Sequence, residues 1–181
     1  MEKLLLAIPN RCTGCNRCTY ACSAVKEGMF IPSKARIQIN NFAHNGYSVA
    51  SVCFQCTNAD CMKACPEGAI IKNDRGVIVI NINKCNQCGE CVSACPYGMI
   101  EQYDSGVPYK CDLCGGSPVC VSECNFGALV FKEADKVSRK LRGQQMKQRQ
   151  TEGKPAEKRH KLASAILKEA VRVPHTANYM G

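Results

Sequence analysis

The sequence predicts an α+β fold of small hairpins and short helices gathered around cysteine-lined cores, followed by a helical C-terminal extension. Three observations predict it. Sixteen cysteines fall into four groups of four within a chain of 181 residues. A six-residue segment recurs along the chain, with turn signals between short apolar runs. Residues 132–181 contain no cysteine, and Lys132–Gln150 is rich in Lys, Arg, Gln and Glu.

The cysteine groups are Cys12, Cys15, Cys18 and Cys22; Cys53, Cys56, Cys61 and Cys65; Cys85, Cys88, Cys91 and Cys95; and Cys111, Cys114, Cys120 and Cys124. Groups one and three read C-x2-C-x2-C-x3-C, the run with which bacterial ferredoxins hold [4Fe–4S] clusters. A short arc delivers three thiolates to one cubane, and the fourth points to a neighbouring cluster. Four groups imply four [4Fe–4S] clusters, and a protein that moves electrons.

Two other uses of cysteine fit less well. An even count would suit a secreted disulfide scaffold. However, the apolar run within Met1–Asn10 is too short for a signal peptide, and no twin-arginine pair precedes the first group. No apolar run of about 18 residues suggests a membrane span. The expected setting is the cytoplasm of an anaerobe, since exposed cubanes are oxygen-labile. Zinc sites usually combine two short pairs across a longer loop. Here three cysteines recur closely and a fourth follows at spacing three.

The repeat accounts for the local elements. Cys65-Pro66-Glu67-Gly68-Ala69-Ile70 matches Cys95-Pro96-Tyr97-Gly98-Met99-Ile100, and Cys124-Asn125-Phe126-Gly127-Ala128-Leu129 is a weaker copy. Proline stops the short helix carrying the last cysteine. Glycine then supplies a permissive turn, and the apolar pair suits a strand beside a cluster. Asn73-Asp74-Arg75-Gly76 between Ala69–Lys72 and Val77–Ile80 signals a hairpin. Asn45-Gly46, between Arg36–Ile39 and Val49–Phe54, signals a second. Asp104-Ser105-Gly106 is a third turn signal. With few aromatics and no Trp, the apolar core is expected to be small, so the clusters would also serve as structural core.

In two-cluster ferredoxins the fourth cysteine of each run ligates the other cluster, so four runs make two pairs. Spacing alone does not choose the pairing. Runs two and three are joined by a short hairpin and carry the closest repeats, which pairs them; runs one and four pair by default. The expected organisation is a four-cluster domain over 1–131, with an inner dicluster module at 31–104 and an outer one at 1–30 plus 105–131. A basic helical tail covers 132–181.

This arrangement resembles the four-cluster electron-transfer subunits of molybdenum and tungsten oxidoreductases, of some hydrogenases and of carbon monoxide dehydrogenase systems. The resemblance covers residues 1 to about 131 and rests on all four runs. It implies two interlocked bacterial-ferredoxin-like dicluster modules. It also implies a partition of ligands. Cluster one takes Cys12, Cys15, Cys18 and Cys124, and cluster four takes Cys111, Cys114, Cys120 and Cys22. Cluster two takes Cys53, Cys56, Cys61 and Cys95, and cluster three takes Cys85, Cys88, Cys91 and Cys65. The chain departs from the pattern at Ser23 and Asn125, which stand where proline follows the fourth cysteine, and in the short gap from Cys114 to Cys120. The stretch Glu27-Gly28-Met29-Phe30-Ile31-Pro32-Ser33-Lys34-Ala35-Arg36-Ile37 looks like one in the ferredoxin-type subunits that accompany tungsten aldehyde oxidoreductases. A tungsten or molybdenum catalytic subunit is the partner this implies.

Charge divides the chain. Residues 1–131 hold 11 Lys and Arg against 10 Asp and Glu, while 132–181 hold 13 against 5. An oxidised four-thiolate cubane carries about −2, so four would make the head acidic while the tail stays basic. Lys132–Gln150 reads as a polar helix, and Thr151–Pro155 breaks it. Ala156–Val171 reads as a second helix with Leu162, Ile166, Ala170 and Val173 near one face, Pro174 marks its end, and Val173–Gly181 reads as extended. The tail is expected to dock on the catalytic subunit, to bind the head of a second copy and so build a filament, or to stay a solvated arm. No aromatics interleave its basic residues, so nucleic acid is not an expected partner.

His44, His160 and His175 lack metal-ligand spacing and read as surface residues. Tyr97, Tyr103, Tyr109 and Phe126 are expected to pack against clusters. Arg11, Lys84 and Lys110 each precede a cysteine run and read first as surface charge; potential tuning is the alternative. No hydrolytic triad, phosphate loop or dinucleotide fingerprint is present, so no catalytic residue is expected. The sequence therefore reads as a non-enzymatic electron-transfer subunit. The alternatives are a stand-alone or filament-forming polyferredoxin and an electron-transfer subunit of a hydrogenase, formate dehydrogenase or carbon monoxide dehydrogenase, with a zinc-rich nucleic-acid-binding module the remote one.

Overall fold

A computed structural model of the chain describes residues 3–172. The expected extended segment Val173–Gly181, with Pro174 and His175, lies outside them, as do the side chains of Ala170 and Val173 on the expected helix face. The four two-stranded antiparallel sheets are small, and the helices between them short.

The chain opens with β1 (Lys3–Ala7), which pairs with β8 (Leu129–Glu133) in the register Lys3↔Glu133 to Ala7↔Leu129. This pair ties the two ends of the cysteine-bearing region together. No hairpin signal announces it, because its partners lie over a hundred residues apart. It also carries strand structure past residue 131, so the helix that follows is shorter than the expected Lys132–Gln150 helix. The other three sheets are the expected hairpins. β2 (Gln38–Phe42) pairs with β3 (Tyr47–Ser51), β4 (Ile70–Lys72) with β5 (Ile78–Ile80), and β6 (Ile100–Gln102) with β7 (Pro108–Lys110).

Cysteine-bearing helices lie between the sheets. These are α1 (Arg17–Glu27), α2 (Asp60–Lys63), α3 (Glu90–Ala94) and α4 (Val119–Ser122). α1 packs against α4, and α2 against α3. Two apolar clusters result. One gathers Leu5, Ala7, Cys18, Cys22, Ile37, Val52, Cys120 and Leu129; the other gathers Phe54, Cys61, Ile70, Ile78, Cys91, Cys95, Tyr97 and Ile100. Cys111 packs against both.

The tail packs on the chain's own head and is not the expected solvated arm. α5 (Lys136–Met146) begins at a capping box in which the Asp135 carboxylate accepts from the Ser138 N–H at 2.6 Å. Its Gln145 side chain donates to the Ala7 carbonyl at 3.0 Å. α6 (Pro155–Arg172) buries Leu162, Ala163, Ile166 and Leu167 within the second apolar cluster. Lys158 donates to the carbonyls of Ser93 at 2.7 Å and Cys95 at 3.2 Å, and Arg159 donates to the Gly98 carbonyl at 2.6 Å. The contact at Gly98 is tight: a Cβ there would lie 2.1 Å from the Pro155 carbonyl oxygen, and φ is +64°. The apolar face that would have received a second copy is thus covered by the head.

Leu162 is 1% exposed. Leu162→Ala is expected to destabilise the cluster-loaded protein by about 2–5 kcal/mol through the cavity it leaves. The readout is a lowered midpoint of cluster bleaching in denaturant, with faster proteolysis at residues 147–154. An unchanged midpoint would show that α6 adds nothing to the fold.

Candidate iron–sulfur centres

All sixteen cysteines are unbridged. They gather where each arc bends back on itself, and the bend has one recurring cause. The residue just before the second cysteine is left-handed in every run: Gly14 at φ +73°, Gln55 at +47°, Gln87 at +63° and Leu113 at +57°. Non-glycine residues rarely adopt this conformation, and they do so at a cost of about 1–3 kcal/mol, most often at functional sites. Gly14 has a further reason to be glycine, since a Cβ there would lie 2.5 Å from the Ser48 hydroxyl.

The repeat after the fourth cysteine also has a geometric result. The turn through Gly68 or Gly98 swings a backbone N–H onto the preceding sulfur. Ala69 N–H donates to Cys65 Sγ at 3.2 Å and Met99 N–H to Cys95 Sγ at 3.4 Å. Cys22 Sγ accepts from the Arg36 N–H at 3.2 Å, and Cys111 Sγ from the Leu113 N–H at 3.4 Å. Such bonds favour the thiolate.

Three cavities are lined by four cysteines each. Cys12, Cys15, Cys18 and Cys124 line one; Cys22, Cys111, Cys114 and Cys120 line a second; Cys53, Cys56, Cys61 and Cys95 line a third. The Cys91 thiol in turn has Cys85, Cys65 and Cys88 as its electrostatic neighbours. Each gathering takes three cysteines from one run and one from another.

The donor chemistry fits a cluster and not a lone ion. Tetrahedral zinc at ~2.3 Å from each sulfur holds the sulfurs roughly 3.8 Å apart. Among the described residues, no three His, Cys, Asp or Glu side chains converge closely enough to hold a metal ion. Burial pushes the thiols up, and neighbouring thiols add to it: Cys18, Cys56 and Cys61 to about 12, Cys91 to about 11, and Cys120 further. Buried thiols crowded in this way are neutral by themselves. A polynuclear iron core bonded to all four would supply the positive charge that lets them ionise.

The remaining expected residues divide. Tyr97 is buried, lines the Cys53 cavity and donates to the Met146 carbonyl at 2.9 Å. Phe126 stands at the first cavity but is exposed. Tyr103 and Tyr109 line none of these three cavities. They stack at 4.5 Å between centroids, beside the Arg36–Glu27 ion pair. Glu27 and Arg36, near the two ends of the 27–37 stretch, are thereby brought together, while Met29 and Phe30 between them are exposed. His44 and His160 are exposed, with His160 against the Phe42 ring. Lys84 is exposed and Arg11 half-buried. Lys110 departs from its expected place: it is 7% exposed.

Known proteins resemble this chain over the residues that carry the cysteine runs. Residues 45–135 match a family described as 4Fe-4S dicluster domain, and residues 9–25 match a 4Fe-4S binding domain. The polyferredoxin-like subunit of aliphatic sulfonate oxidoreductase from Pyrococcus furiosus is 38% identical over 123 residues, covering 67% of this chain and 70% of that one. The thiosulfate reductase electron transfer subunit PhsB of Salmonella typhi is 32% identical, covering 74% and 77%. A subunit of anaerobic dimethyl sulfoxide reductase from Escherichia coli is 32% identical, covering 72% and 73%.

The left-handed arcs yield a test. Gln87→Gly is expected to leave the protein as stable or about 1 kcal/mol more so, whereas Gln87→Val should cost about 1–3 kcal/mol. Cluster-bleaching midpoints of the two variants measure this, and equal midpoints would remove the role given to the left-handed residue.

Proposed function

The chain belongs to the 4Fe-4S dicluster domain family, and from that premise we propose that it is the electron-relay subunit of an oxidoreductase, holding four [4Fe–4S] clusters in a line. The observation that carries the proposal is the make-up of the gatherings, three cysteines from one run and one from a distant run. It supports Cys12, Cys15, Cys18 and Cys124 as ligands of one cluster, and Cys22, Cys111, Cys114 and Cys120 of a second. Cys53, Cys56, Cys61 and Cys95 would hold a third, and Cys65, Cys85, Cys88 and Cys91 a fourth. When bound, such clusters accept and pass on single electrons.

Shared helices support an order along the line. α1 carries Cys18 and Cys22, so the first two sites are joined by one turn of helix. Cys111 of the second site has Cys53 of the third as an electrostatic neighbour. Cys91 and Cys95 flank one turn of α3, which joins the third site to the fourth. The two terminal sites each present one exposed cysteine, Cys15 and Cys88. Those ends suit contact with an electron donor and an acceptor, while buried side chains shield the middle. In this reading two interlocked dicluster modules form the head, and residues 132–172 brace it.

The partner would be a catalytic subunit of the molybdenum or tungsten type, as the named relatives are subunits of oxidoreductases. The 27–37 stretch favours a tungsten aldehyde oxidoreductase type. Among the described residues no helix is long and apolar enough to cross a membrane. Unbridged cysteines suit a reducing compartment such as the cytoplasm.

Paired cysteine substitutions test the ligand sets. Cys124→Ala is expected to remove about four irons, one cluster's worth. Adding Cys15→Ala should then remove no more, because both changes strike one cluster, whereas adding Cys114→Ala should remove about four more. The reverse pattern, measured as iron per chain, would overturn the cross-run partition.

A further inference from the structure

Lys110 is the buried charge that the fold has not explained. It ends β7, directly before Cys111, and its side chain turns inward. Its ammonium donates to the carbonyl of Ile78 and, at 2.7 Å, to that of Cys111. Among the described residues no carboxylate pairs with it, and it lines the cavity of Cys53, Cys56, Cys61 and Cys95, where the carboxylate of Asp60 is itself paired with Arg149 at 2.7 Å.

The position is built rather than incidental. Gln55, held left-handed in the second arc, donates to the Cys111 carbonyl at 2.8 Å and accepts from the Ile78 N–H at 2.9 Å. Gln55 and Lys110 therefore grip the same two residues' backbone, one at the start of the fourth cysteine run and one at the start of β5. A second cation approaches from the tail, since Lys158 reaches the Cys95 carbonyl from α6. Three of the four cations that line the Cys12 and Cys22 cavities are answered by carboxylates, and the fourth, Arg11, is only half-buried. Lys26 pairs with Asp112 at 2.7 Å and Arg36 pairs with Glu27 beside the Cys22 cavity, while the exposed Arg17 pairs with Glu123 at 2.9 Å beside the Cys12 cavity.

An added electron makes a cluster more negative by one charge. A buried cation stabilises that reduced form far more than a solvated one, because little water screens it. We propose that Lys110, supported by Lys158, gives the cluster held by Cys53, Cys56, Cys61 and Cys95 the highest reduction potential of the four. The inference rests on the four-cluster reading. An electron entering from an external low-potential donor then settles in the interior of the line and not at either exposed end. Lys110 acts as a tuning residue through its charge, and Lys110→Arg keeps the function.

Stepwise reduction of the loaded protein with dithionite, followed by electron paramagnetic resonance, tests this. In Lys110→Met the first component to be reduced should have its reduction equilibrium constant lowered at least tenfold, about 59 mV for a one-electron couple. Its iron content should stay unchanged, and Lys110→Arg should match the parent. Lys158→Met, which lies outside the cysteine runs, should lower the same component. The proposal is overturned if that component stays put in both Met variants, or if another component moves instead. A parent protein that lacks four cubane signals would instead sink the four-cluster reading itself.

Discussion

The structure depends on one constraint: sulfurs far apart in sequence must meet in groups of four inside a chain with little apolar core. Each gathering needs an arc tight enough to bring three cysteines together, and a fourth cysteine delivered from another run. The left-handed residues at 14, 55, 87 and 113 tighten the arcs. The pairing of α1 with α4, and of α2 with α3, delivers the fourth cysteines. The β1–β8 ladder then closes the loop that cross-delivery requires, by holding the beginning and end of the cysteine region in register. Buried thiols that resist ionisation link the fold to the cofactor, because the thiolates a cluster needs form there only once iron compensates their charge.

Much of this was legible in the chain. The cysteine runs, the three hairpins and the recurring turn before Ala69, Met99 and Ala128 are local patterns, and local patterns survive translation into structure. What was not legible is long-range or conformational. Nothing near Leu4 says that it will lie beside Lys132. Gln55, Gln87 and Leu113 carry no residue-type signature for a left-handed backbone, although their shared place before the second cysteine was a signal that could have been used. Lys110 read as surface charge because a lysine before a cysteine run looks the same whether it points in or out. Only the ring of Ile78, Gln55 and Cys111 around it decides the matter.

The tail shows how composition can mislead. A segment with 13 basic residues reads as an arm in search of an acidic partner. Its second helix nevertheless has enough apolar surface at Leu162, Ala163, Ile166 and Leu167 to complete the head's own core. Burying the larger of these side chains contributes about 1.5–3 kcal/mol each, more than exposed ion pairs supply. Some of the positive charge is consumed in the docking, with Lys158 and Arg159 buried against backbone carbonyls in and just after the third run. The tail thus covers the surface around Ser93, Cys95 and Gly98, while Cys15 and Cys88 stay exposed.

The central claim is that this chain carries four cubanes. Iron and acid-labile sulfide per chain, measured on anaerobically prepared protein together with its Mössbauer spectrum, test it most directly. The account predicts about sixteen irons and sixteen sulfides, four of each per [4Fe–4S] cluster, in one family of cubane signals. Fewer than about twelve irons in fully loaded protein, or zinc in place of iron, would contradict it.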